Sequence, residues 1–264
     1  EGLGPLFAQQ DAETQARLQQ AASILEELPD DRPEDIRVKE LAFRRHEQTE
    51  EYRHKKQLAD AWCAAFIIKK YFREVGRESS VSGITQRHLN DLAAGRSLTT
   101  NLADEAKLVS EQHQFFHWHL AFPEVFAKGG FDCILGNPPW ERTALEELEF
   151  FASRSEAVLN APTTASRKQV IQKLKQTNLS LYEDFLDAKR TSDFENAFFS
   201  GSGLYPLGAR GRLNTYALFA NLGLDRLSST GRFGMIVQTG IATDAPMEDF
   251  WRFLVDERRL VSLI

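Results

Sequence analysis

Phe131-Asp132-Cys133-Ile134-Leu135-Gly136-Asn137-Pro138-Pro139-Trp140 is the stretch on which the reading of this chain turns. Its first six residues form a short apolar run bounded by glycine, the length and composition of a buried strand. Two consecutive prolines can neither donate to a sheet ladder nor let the preceding residue enter a helix. The strand therefore ends at Gly136 and opens into a rigid turn that carries one neutral amide and one flat indole. The carboxyl end of a strand is where open α/β sheets bind their ligands.

The residue types suit one kind of chemistry. An exocyclic amine such as adenine N6 attacks an electrophile poorly, because its lone pair is delocalised into the ring. Two acceptors aimed at the amine protons draw that lone pair out. The Asn137 side-chain carbonyl supplies one, and the Pro138 carbonyl, on a backbone of fixed φ, supplies the other. Both dipoles stabilise the positive charge that grows on nitrogen more than they stabilise the ground state, and that difference accelerates the step. The ring of Trp140 then stacks on a base that has left the duplex. A strand followed by a proline-rich turn that merely ends the element is the plain alternative.

At this point the chain resembles a family. Phe131 to Trp140 is similar to the strand and Asn/Asp-Pro-Pro-aromatic motif of N6-adenine DNA methyltransferases, with Asn137, Pro138, Pro139 and Trp140 in the catalytic positions. Phe116-His117-Trp118-His119-Leu120-Ala121-Phe122-Pro123-Glu124-Val125-Phe126, Tyr205-Pro206-Leu207, Asn214-Thr215-Tyr216 and Thr239-Gly240-Ile241-Ala242-Thr243-Asp244 extend the likeness. Together they resemble the large single-chain methylases of restriction-modification and phage-defence systems, the type IIG-like enzymes among them. The resemblance implies an α/β fold, part of a Rossmann-like class I methyltransferase sheet, over residues 113–264, with a mainly helical insertion over residues 1–112. It implies S-adenosylmethionine as methyl donor and DNA as substrate. It also implies that Asn214 and Tyr216 flank the cofactor pocket, although a helix cap and a core aromatic account for that pair as well. The same clamp occurs in enzymes that methylate a glutamine amide or RNA bases, usually without a long helical insertion, and a non-catalytic scaffold is a third reading.

Composition sets outer limits. The chain has 264 residues, 42% of them apolar, enough for one large domain or two small ones. No run approaches the ~18 apolar residues of a membrane span, and Glu1-Gly2-Leu3-Gly4-Pro5 lacks a signal pattern, so cytoplasm is the expected compartment. Cys63 and Cys133 sit in apolar settings and are expected as buried thiols. A net charge of −6 is unfavourable for a freestanding DNA binder. Between Ala157 and Tyr182, however, every charged residue is basic: Arg167, Lys168, Lys173 and Lys175. That helix is a candidate phosphate-facing surface, with an ordinary solvated face as its alternative. The absence of an initiator Met and the apolar end Leu260-Val261-Ser262-Leu263-Ile264 make a fragment of a longer enzyme the expectation.

Helices are predicted near Ala8–Leu28 and over Pro33–Phe72, the latter with an apolar stripe of Leu58, Trp62, Ala65, Phe66 and Lys69. Ser79–Gly83 reads as a turn. Thr85 caps a helix through Ala94, and Thr99 or Thr100 caps another through Gln114. Further helices are predicted at Glu146–Phe151, Ser166–Lys175 and Leu181–Lys189, followed by a glycine-rich loop at Ser200–Gly211. From Asn214 the pattern alternates: helix to Leu227, stop at Gly231, strand Phe233–Val237, helix Met247–Glu257, strand Leu260–Ile264.

The glycine motif with which the family holds S-adenosylmethionine, similar to Asp-Pro-x-x-Gly-x-Gly, is missing. Ser200-Gly201-Ser202-Gly203 lies downstream of the catalytic strand without a strand-turn-helix setting and reads as a loop. A fragment without the motif is expected to bind cofactor weakly or not at all. The run Gln238-Thr239-Gly240-Ile241 replaces the proline and later aromatic that relatives carry, which leaves Trp140 with most of the stacking. Asp91, Glu105 and Lys107 have nuclease-like spacing but a helical pattern. His113, His117 and His119 with Glu124 are interleaved with Phe116 and Trp118, which fits aromatic packing better than a metal site.

Overall fold

The computed structural model describes residues 12–68, 71–75 and 78–263. It is mostly helical, with a small two-stranded parallel sheet and a separate β-hairpin. Two compact units divide it: residues up to Leu135 with Gly223–Gly234, and Gly136–Leu222 with Met235 onward. No described helix is long and apolar enough to cross a membrane.

The first unit opens with α1 (Ala12–Glu26), α2 (Pro33–Glu47) and α3 (Glu50–Ile67). Pro33 starts α2, acids Glu34 and Asp35 occupy its first turn, and Arg44, Arg45 and His46 its last, an order that complements the helix dipole at both ends. The single helix predicted over Pro33–Phe72 is in fact two, because Thr49 caps α3 by accepting from Tyr52 N at 3.4 Å. Leu58, Ala61, Trp62, Ala64 and Ile68 are buried, whereas Ala65 and Phe66 are half-buried, and Lys69 lies outside the described residues. Where the sequence predicts a helix end and a turn, β1 (Tyr71–Val75) pairs antiparallel with β2 (Glu78–Ser82), in register from Tyr71↔Ser82 to Val75↔Glu78.

Thr85 begins α4 (Gln86–Ala93) with a capping box: its hydroxyl accepts from His88 N, and its own N–H donates to His88 Nδ1 at 3.2 Å. α5 (Thr100–His113) follows Thr99 and ends at Gln114 in the left-handed region, φ 51°. The expected nuclease-like residues all fall on these two helices, with Asp91 held by Arg96 at 2.6 Å and Lys107 placed 3.8 Å from Glu111. α3 packs on α5, and α1 on α7 (Pro123–Ala127), which follows α6 (Trp118–Ala121). Leu18, Tyr52 and Leu120 form a shared cluster.

His117 and Asp60 meet at 2.7 Å, and Lys56 reaches the other Asp60 oxygen at 2.6 Å. The aromatic segment then docks on the head of β3 (Phe131–Gly136): Phe131 makes edge contacts with Trp118, Phe122 and Phe126 at 5.5 to 5.7 Å between centroids. Its strand partner is β4 (Leu227–Met235). Asp132 faces Ser228 and Leu135 faces Gly234, so the two run parallel. Gly231, expected to stop the preceding helix, lies inside β4, where a Cβ would stand 2.7 Å from the Phe131 carbonyl oxygen.

Cys133 is exposed rather than buried, as are Asp132 and Leu135 beside it: among the described residues β3 has one strand partner, and so narrow a sheet leaves both faces of its middle open. Cys63 is half-buried, and burial, with the nearby Asp60 charge, pushes its thiol up to about 12.

The second unit is built on α8 (Glu147–Phe151), α9 (Glu156–Leu159), α10 (Thr164–Thr177) and α11 (Leu179–Gly201). Phe151, Val158, Ile171, Leu174, Leu181 and Phe185 make its core. Thr163 and Ser166 cap α10 reciprocally, and Asn178 caps α11 by accepting from Leu181 N. α12 (Thr215–Arg226) leads to β4, and α13 (Gly240–Thr243) and α14 (Glu248–Asp256) follow. The strand predicted from Leu260 does not form: Arg258 turns left-handed, φ 52°, and residues 260–263 pair with no described strand.

Candidate functional site

Asn137 to Trp140 leave the end of β3 as an exposed loop, and the surroundings hold it at both ends. At its start, Ile236 N donates to the Gly136 carbonyl at 3.0 Å. At its end, the Trp140 indole Nε1 donates to the Ile236 carbonyl at 3.4 Å. One residue just beyond β4 thus brackets the motif with both of its backbone groups. Trp140 keeps 45% of its surface exposed, so its ring is tethered by an edge while a face stays open.

The second support comes from the head of α12. Thr215 Oγ1 donates to the Pro139 carbonyl at 2.6 Å and accepts from Glu141 N at 3.0 Å, while Thr215 N donates to the Glu141 carbonyl at 2.9 Å. Arg142 and Asn214 form a bridge alongside, and Thr143 N donates to the Leu213 carbonyl at 3.4 Å. Farther on, Ser192 of α11 accepts from Leu145 N and donates to the Thr143 carbonyl, both at 2.9 Å, and the Thr143 hydroxyl donates to Asn196. Every backbone group from Pro139 to Glu141 that is fixed here is fixed by residues distant in sequence.

The two acceptors read as the clamp are open. Among the described residues, neither the Asn137 side chain nor the Pro138 carbonyl takes part in a hydrogen bond, and Asn137 is exposed. The Pro139 carbonyl, by contrast, is taken. A cleft of about 410 Å³ opens farther along, lined by Arg142, Leu145, Glu146, Phe150 and Ser192 among others, and none of the four motif residues lines it.

Asn214 and Tyr216 fall on the cap-and-core side of the two readings. Asn214 Oδ1 accepts from Tyr216 N at 3.3 Å, and the Asn214 carbonyl accepts from Ala217 N and Leu218 N. Tyr216 is 4% exposed, and burial together with the charge of Asp244 raises its phenol above the ordinary value. Ser202 of the Ser200–Gly203 stretch is buried and accepts from Leu204 N, and α11 runs through Gly201.

On α10, Arg167 is engaged at 2.9 Å with Glu147 and is mostly covered, so the fourfold basic surface reduces to Lys168, Lys173 and Lys175, all exposed. His119 is held down to about 4 by burial and by the positive charges of His117, Arg226 and Lys55.

Thr215, Ser192, Asn196 and Ile236 were not singled out from sequence. A hydroxyl residue at a helix start was the available signal for Thr215, and it reads as an ordinary cap until its partner is seen.

Residues 60–189 match the family model of the Eco57I restriction-modification methylase, nearly half of the chain. No curated protein and no solved structure matches. The matched stretch contains Asn137 to Trp140, and it supports assigning the chain to the restriction-modification methylases.

Proposed function

We propose that this chain carries the amine clamp of a DNA adenine-N6 methyltransferase. Asn137 Oδ1 and the Pro138 carbonyl accept the two N6 protons, and Trp140 stacks on the extruded adenine. The observation that carries the reading is the division of the three acceptors. Asn137 and Pro138 are open and adjacent, while the Pro139 carbonyl is committed to Thr215. The proline backbone restricts the direction of the Pro138 carbonyl, and a dipole held in place needs little reorganisation as charge develops on nitrogen.

S-adenosylmethionine supplies the electrophilic methyl group when bound, and none of the described residues is assigned to hold it. Lys168, Lys173 and Lys175 are the proposed phosphate contacts, sequence-independent in character.

The test is methyl transfer from isotopically labelled S-adenosylmethionine to duplex DNA by the full-length protein, with the product nucleosides separated by mass. Label is expected on adenine N6 and absent with Asn137→Ala. Label on cytosine or on protein, or an Asn137→Ala variant that transfers normally, would overturn the assignment.

A further inference from the structure

We propose that Thr215 is the positioning residue of the clamp: its hydroxyl commits the Pro139 carbonyl to the head of α12 and so leaves Asn137 and the Pro138 carbonyl as the acceptors. The inference rests on the reading of Asn137 to Trp140 as an amine clamp.

A threonine at the N-cap turns its oxygen inward and accepts from an amide of the first turn. Thr215 stands one residue past that position, as the first residue of α12. The first turn of α12 is served by Asn214, whose side chain accepts from Tyr216 N and whose carbonyl accepts from Ala217 N and Leu218 N. With Asn214 as the cap, the Thr215 hydroxyl is free to face the loop, where it donates to the Pro139 carbonyl at 2.6 Å, with the Glu141 carbonyl a longer acceptor at 3.2 Å, and accepts from Glu141 N at 3.0 Å. It holds the groups on either side of Trp140 with one oxygen.

Proline fixes φ but leaves ψ free to swing the carbonyl. Tying the Pro139 carbonyl and the Glu141 amide fixes the peptide planes around Trp140, and through the rigid Pro138-Pro139 pair it fixes the direction of the Pro138 carbonyl. Without the hydroxyl, the Pro139 carbonyl becomes a third acceptor of the same type beside the two that the amine needs. The backbone bond from Thr215 N to the Glu141 carbonyl survives any side-chain change, so the loop stays attached when the hydroxyl is removed.

The test compares Thr215→Val, which keeps the shape and deletes the hydroxyl, with Thr215→Ser, which keeps the hydroxyl, in the full-length protein. Thr215→Val is expected to lower kcat for methyl transfer about 10- to 100-fold, the usual cost of a small misplacement, with KM for S-adenosylmethionine unchanged. Amide hydrogen exchange at Glu141 is expected to speed up in the same variant. Thr215→Ser is expected to restore both. A valine variant with normal kcat, alongside an inactive Asn137→Ala, overturns the proposal, as does a serine variant as impaired as valine. If the unmodified protein transfers no methyl group yet Glu141 exchange responds to valine and not to serine, the tie stands and the clamp reading falls.

Discussion

His117 Nε2 lies 2.7 Å from Asp60 Oδ1, joining the aromatic segment ahead of β3 to the middle of α3. Both side chains are nearly covered, 10% and 12% exposed, and Lys56 completes the group from the next turn of α3. Asp60→Ala is expected to cost about 2–3 kcal/mol, because it strands hydrogen-bonding partners in a covered site. Urea denaturation of the variant checks this, and an unchanged midpoint would remove the pair from the list of supports for β3.

Acid should act on this unit in two steps. His119 is held down to about 4 in the folded chain against an ordinary 6.5, so the unfolded chain takes up more protons between those values and stability falls as pH drops from 6.5 towards 4. Burial pushes the Asp60 carboxyl up, but hydrogen bonds and charge from His117 and Lys56 outweigh it and hold it below its usual value. Its contribution is present above the ordinary carboxylate pKa and is lost only as pH falls below it. His46, also held below its ordinary value by burial, adds to the upper step, so denaturation midpoints against pH for the wild type and His119→Gln check the order: the variant should shrink the upper step and keep the lower.

Trp140→Ala is expected to weaken base capture by about 1–3 kcal/mol, the worth of one base stacked on an aromatic ring. With 2-aminopurine at the target position, the fluorescence gain on binding should shrink. Folding should hold, since the ring is 45% exposed and its single bond, to the Ile236 carbonyl, is 3.4 Å long.

Replacing Lys168, Lys173 and Lys175 together by glutamine should flatten the salt dependence of DNA binding by about one unit of slope per lysine lost. Arg167→Gln should behave differently and lower stability, because Arg167 is spent on Glu147. Binding measured across a salt series, beside a melt of each variant, separates the two.

Gly130→Ala is expected to cost about 2 kcal/mol and Gly129→Ala about 1 kcal/mol. Both glycines have positive φ, but a Cβ at Gly130 would stand 2.6 Å from the Arg226 carbonyl oxygen, whereas at Gly129 it would meet nothing within 4 Å. Equal losses in thermal melts would show that backbone conformation alone decides.

What was legible in the sequence was local. The cap at Thr85, the stop of β3 at the prolines, and the helices predicted at Glu146–Phe151, Ser166–Lys175 and Leu181–Lys189 rest on contacts a few residues apart, although the last of them runs on to Gly201. What was not legible depended on distant partners. The break at Thr49 hid inside a continuous helix-favouring composition. Cys133 was assigned a buried place from its apolar neighbours, yet burial of a strand residue depends on which other strands flank it. Leu260 to Leu263 have strand composition and no strand to pair with among the described residues. The expected Rossmann-like sheet is not shown: among the described residues β3 and β4 form a two-stranded parallel sheet. At the motif, Asn137 and Trp140 stand out by residue type, but the groups that hold the loop, Thr215 on Pro139 and Ile236 on Trp140, lie 76 and 96 residues along the chain from their partners.

That separation bears on grafting and truncation. A ten-residue cassette from Phe131 to Trp140, transplanted into another scaffold, carries the proposed clamp and not the ties from Thr215 and Ile236, and a chain cut before Asn214 has the same defect. The ties on the Pro-Pro loop can close only once the chain has been made through Ile236, 96 residues beyond Trp140.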